Sequence, residues 1–159
     1  MQPLLVLQCS LSRFVDCELT IPQLMSKAMA SPSNVIAVLP NLAPLPNDKS
    51  AVRKMRLYSL TRMASSDDVR AALRDLRCRA ATPHELLTLA VGATRRTIKL
   101  PTRIVAFVPP APSTTSKSLA ISFALRERAN IEHRRQFCAH QIDREPFWSV
   151  CTQFLAVPS

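Results

Sequence analysis

Glycine is nearly absent: the 159-residue chain has one, Gly92, where average usage of about 7 per cent would give roughly 11. Phosphate-cradling loops, dinucleotide fingerprints, Gly-flanked serine elbows and kinase-type loops each need several glycines, because the backbone there turns sharply or approaches a phosphate. Those chemistries are excluded in their usual motif form. Acidic residues are also few, with 11 Asp plus Glu against 21 Lys plus Arg, a formal charge of +10. Such an excess suits an anionic partner, an acidic protein or a nucleic acid, without choosing between them. Aromatic residues make up 5% of the chain, and none interleaves with the basic clusters, so the sequence shows no pattern for base stacking.

Long apolar runs are missing too. Pro3-Leu4-Leu5-Val6-Leu7 has no Lys or Arg before it and is ended by Gln8. A signal peptide needs a basic start and an apolar stretch of about 7 to 15 residues, so this run reads as a buried strand. Nothing approaches the roughly 18 uninterrupted apolar residues of a membrane span. The expectation is a soluble, cytoplasmic protein with no membrane partner. Cys9, Cys17, Cys78, Cys138 and Cys151 are odd in number and scattered, which favours free thiols in a reducing compartment.

What the chain does contain is 47% hydrophobic residues, enough for one core. Residues 1–159 read as a single domain, with 67–157 carrying the clearest signals and 1–64 a less definite N-terminal extension. Thr20 or Ile21 caps a helix with Pro22 in its first turn, running to about residue 30. Residues 35–39 read as a short buried strand, 40–50 as a loop, and 51–62 fit a strand better than a helix. Ser66 as N-cap, Asp67 and Asp68 at the positive helix end, and Val69, Ala72, Leu73 and Leu76 at helical spacing predict a helix near 67–77. Thr82-Pro83-His84-Glu85 forms a capping box opening a helix over 83–91, and Gly92 fits a left-handed helix end. Strands follow near 103–108, 118–125 and 149–157, the second marked by alternating Leu119, Ile121, Phe123 and Leu125. Residues 126–145 read as a long polar connection. The fold class is α+β: two or three helices packed on a small antiparallel sheet.

The stretch Cys78-Arg79-Ala80-Ala81-Thr82-Pro83-His84-Glu85-Leu86-Leu87 resembles a set of small uncharacterised bacterial proteins with a Cys/Tyr-Arg-Pro-Ala-Thr-x-x-Glu-Leu-Leu pattern. The likeness continues through Arg95-Arg96-Thr97-Ile98-Lys99-Leu100-Pro101 into Ile104-Val105-Ala106-Phe107. It resumes at Trp148 and Phe154-Leu155-Ala156-Val157, similar to that family's terminal Trp-x5-Phe-Leu-Ala-Val strand. Ala80 stands where the family usually has Pro. The resemblance implies a helix-then-sheet layout and assigns no activity or catalytic residue.

Among candidate groups, Arg70, Arg74 and Arg77 align at i, i+4 and i+7 on one helix and, with Arg95 and Arg96, form the candidate polyanion-binding set. Their alternative is a solvated outer face balanced by Asp67, Asp68 and Asp75. Further basic clusters occur at Arg53/Lys54/Arg56 and Arg126/Arg128/Arg134/Arg135. Cys138 and His140 are zinc-ligand types, but with His133 and Cys151 they match no standard ligand spacing, so no metal is expected. Cys78 with His84 and Glu85 has the residue types of a thiol nucleophile, base and orienter. His84 and Glu85 are already explained by the helix start, and no cofactor is implied. Trp148 beside Phe147, Val150 and Phe154 reads as core. The sequence therefore predicts a small non-enzymatic interaction or structural protein. The alternative is a basic protein binding nucleic acid or another polyanion non-specifically through its arginine clusters.

Overall fold

The structure, a computed structural model, describes residues 2–28, 31–32, 49–92, 103–108, 119–126, 134–142 and 147–159. In chain order these residues form β1 (Leu5–Val15), α1 (Ile21–Lys27), β2 (Ser31–Pro32), β3 (Ala51–Leu60), α2 (Ser66–Asp75) and β4 (Cys78–Ala80). Then come α3 (Pro83–Gly92), β5 (Arg103–Phe107), β6 (Leu119–Arg126), β7 (Arg134–Gln141) and β8 (Thr152–Pro158). The class is α+β, as the sequence implies.

The sheet is larger than expected and mixed rather than antiparallel. Its order is β1-β3-β8-β5-β6-β7-β2, with β4 also on β8. β5 runs parallel to β8 and β2 parallel to β7, while the other pairs are antiparallel. Along one edge of β8, residues 152–154 take β5 and residues 156–158 take β4. The N-terminal part of the chain contributes to this sheet through β1 and β3, since β1 pairs with β3 and β3 with β8.

Helices lie on both faces, because the central strands are apolar on both sides. On one face Met55, Leu57, Ile104, Ile121, Phe123 and Leu155 meet Leu24 of α1 and Leu86 of α3. On the other, Tyr58, Leu60, Val105, Phe107 and Phe154 meet Val69 and Leu73 of α2. A strand buried on both faces reads as a continuous apolar run, and such strands occupy the middle of covered sheets.

Several sequence expectations are corrected by this arrangement. The polar stretch after residue 126 contains β7, whose Phe137 is buried in the first core; its many polar residues hid the strand. The N-terminal run forms β1, yet β1 is an edge strand, and of its residues 5–15 only Leu5 and Val15 are buried. The N-cap of α2 is Ser65, one residue earlier than expected. Gly92 does not adopt a left-handed conformation. A Cβ there would come within 3.2 Å of Arg13 Nε, so its small size admits a guanidinium over the end of α3. The left-handed position belongs instead to Arg77, with φ 52, directly after the α2 C-cap Leu76. The strand expected at 35–39 lies outside the described residues.

At the start of α2, Ser65 Oγ accepts from the Asp68 amide at 3.1 Å, and the Asp68 carboxylate accepts from the Ser65 hydroxyl at 2.7 Å and amide at 3.1 Å. These bonds to Ser65 hold the Asp68 carboxyl below its usual range. A depressed native value means the contribution is complete above the unfolded-chain pKa and disappears as pH falls through the native one. Chemical unfolding of Asp68→Asn beside the unaltered chain is expected to show a stability gap at neutral pH that closes below about pH 4. A gap unchanged into strong acid would show that the carboxylate is not its source.

Candidate functional site

Among the described residues, the α2 face of the sheet is covered at one end only. Alternation along β3 sends Tyr58 and Leu60 beneath α2 and leaves Val52, Lys54 and Arg56 on the same face beyond it. Their cross-strand partners on β1 are Phe14, Ser12 and Ser10. Three successive rungs result: Phe14 opposite Val52, Ser12 opposite Lys54, and Ser10 opposite Arg56. Phe14 is 59% exposed and Val52 is 69% exposed, and Ser10, Ser12 and Lys54 are exposed as well. An aromatic ring and a β-branched residue side by side on an open face normally seek cover. Two cations follow them along the same strand.

Arg56 anchors the inner margin of this surface. Its Nη1 lies 3.8 Å from the Cys78 sulfur, which is also 3.6 Å from the Tyr58 hydroxyl oxygen and points at the Leu76 carbonyl oxygen at 3.5 Å. The Tyr58 hydroxyl, and then the Cys78 sulfur, hold Arg56 still further toward its charged form. Burial, and then the bond to Cys78, push the Tyr58 phenol above its ordinary range. Arg56 is thus a permanent cation held at the boundary between the second core and the open face. The α2 C-terminus is beside it, and Leu76 there is 41% exposed.

Arg53, one residue before Lys54 in sequence, points to the opposite face. There Glu85 of α3, fully buried, accepts from Arg79 Nη2 at 2.6 Å and Nη1 at 2.8 Å, and from Arg53 Nη1 at 3.2 Å. The Thr82 amide donates to the same carboxylate at 2.7 Å, and Thr82 Oγ1 accepts from the Glu85 amide at 3.3 Å. The capping box is present, and it is also an ion-pair centre tying β3, β4 and α3 together. His84 Nε2 bonds the Leu19 carbonyl oxygen at 3.0 Å. Cys78 faces the other side of the sheet, in the second core, so Cys78, His84 and Glu85 do not converge on one site.

A second polar group is buried beneath α2. Ser122 Oγ lies 2.6 Å from His140 Nε2, with Ser122 3% and His140 9% exposed. The His140 ring meets Trp148 edge-on, centroids 5.9 Å apart, and Trp148 Nε1 donates to Ser66 Oγ at 2.8 Å. A hydroxyl–imidazole pair has the contact of a nucleophile and its base. Here it is enclosed by the aromatic core, where it satisfies polar groups that burial would otherwise leave costly. Sequence reading singled out His140 but not Ser122, because only the β6–β7 register brings the two together. Cys138 lies opposite Ser122 on the same face, and no group of three or more metal-ligating side chains occurs among the described residues. A separate depression of about 300 Å³ beside α2 is lined by Leu4, Arg62, Met63, Ala64, Asp68 and Asp75.

Of the arginines singled out in the sequence, Arg70 parts from Arg74 and Arg77. Arg70 turns inward, its guanidinium 4.6 Å above the Phe107 ring and 3.6 Å from Asp67. Arg74 and Arg77 are exposed at the C-terminal end of α2, the end that adjoins Arg56 through Cys78. Arg95 and Arg96 lie outside the described residues. No protein-family model, curated protein or solved structure matches the chain. No helix among the described residues is long and apolar enough to cross a membrane.

Proposed function

We propose that the chain is a non-enzymatic interaction protein that binds a polyanionic partner through the uncovered sheet end on β1 and β3. The observation that carries this reading is the alignment of exposed Phe14 and Val52 with Lys54 and Arg56 on one face beyond α2. An open sheet face with aligned cations and an apolar patch can hold an extended anionic chain, whereas small-molecule chemistry calls for a concave site with convergent groups. The +10 charge draws such a partner in from a distance. Exposed Arg74 and Arg77 extend the basic surface at the α2 terminus.

Calorimetric titration of the whole chain with polyglutamate tests this. Binding at low salt is expected, weakening steeply as salt rises, and Lys54→Glu is expected to weaken it several-fold without changing the melting temperature. No binding at low salt, or a Lys54→Glu variant that binds as the unaltered chain does, would remove the reading.

A further inference from the structure

The uncovered face carries more than charge, and its spacing narrows the kind of polyanion it suits. Residues two apart on a strand are separated by about 6.8 Å and face the same way. Lys54 and Arg56 therefore stand one such step apart, and Phe14 and Val52 stand one step beyond Lys54 on the same ladder. The surface is a short track: ring, cation, cation. Ser10 and Ser12 line its β1 side and offer hydroxyls that donate or accept equally well.

Resting on the reading above, we infer that this track takes a single-stranded nucleic acid, with an unstacked base on Phe14 and adjacent phosphates on Lys54 and Arg56. A polycarboxylate would satisfy the cations and leave the exposed ring without a partner. A duplex would present phosphates but keep its base faces stacked inside, so Phe14 would again be idle. An extended single strand supplies both groups along one backbone, and stacking of a base on an aromatic ring is tolerant of sequence. The hydroxyls of Ser10 and Ser12 select no particular base edge, so broad sequence tolerance follows. Neither the ladder nor its side chains distinguish ribose from deoxyribose.

The test is fluorescence anisotropy with the full chain and three probes: a short mixed-sequence DNA strand, an RNA strand of the same sequence, and the DNA duplex. One or both single strands are expected to bind more tightly than the duplex. Phe14→Ala is expected to weaken single-strand binding about tenfold and leave duplex binding unchanged, with Phe14→Trp restoring the affinity. Because Phe14 is exposed, both variants should melt as the unaltered chain does, which separates lost stacking from lost folding. Duplex bound as tightly as single strand, or single-strand affinity indifferent to Phe14→Ala, overturns the inference. If polyglutamate binding through Lys54 persists in that case, the broader polyanion reading stands; if it too is absent, both fall.

Discussion

Replacing Trp148 with alanine is expected to lower the unfolding free energy by about 4–5 kcal/mol, at the upper end of large-to-small core substitutions. Trp148 is almost fully buried, 2% exposed, and lies at the centre of an aromatic group with Phe107, Phe154 and His140 at centroid distances of 6.4, 5.7 and 5.9 Å. Its backbone bonds Ala64 in both directions, at 2.8 and 3.3 Å, so the neighbouring chain cannot readily collapse into the space. Truncation also leaves the buried Ser66 hydroxyl without its indole donor. Trp148→Phe keeps an aromatic ring and loses chiefly that bond and part of the volume, so it should cost only about 1–3 kcal/mol. Denaturant unfolding of the two variants gives both values. An alanine variant within about 1 kcal/mol of the unaltered chain would show that the second core does not depend on this residue.

Glu85→Ala is the next largest, expected to cost about 3 kcal/mol. Removing one member of a buried ion pair generally costs about 3–5 kcal/mol, because its partner is left uncompensated. Here the Arg53 and Arg79 side chains keep 17% and 39% of their exposure, so both regain water and the loss falls at the lower end. The α3 cap is lost with the same carboxylate. Adding Arg79→Ala to Glu85→Ala should then cost almost nothing more, since the interaction is already gone. Full additivity of the two substitutions, read from chemical unfolding of the four chains, would mean that Arg79 does not act through Glu85.

Local signals were readable in the sequence where they depend on neighbours a few residues apart. The Thr20 and Thr82 caps, the apolar spacing of α2 and the alternation of β6 are all of this kind. The sequence left β7 hidden because one strand there serves two environments: Phe137 enters one core while His140 bonds Ser122 on the opposite face. It also showed basic clusters without aromatics. The ring beside Lys54 and Arg56 is Phe14 of β1, far earlier in the chain and brought there by the β1–β3 register. Helical spacing placed Arg70, Arg74 and Arg77 on one face but could not show that Phe107 draws Arg70 inward. Long-range register and side-chain capture both depend on tertiary contacts, which a linear pattern does not contain.

The contact surface itself can be located by backbone amide NMR of the full chain titrated with polyglutamate. The largest shift changes should fall on residues 10–14 of β1 and 52–56 of β3, with smaller ones at the end of α2. Changes concentrated on the outer surface of α1 and α3, with β1 and β3 unmoved at saturation, would place binding elsewhere and contradict the assignment of the open sheet face.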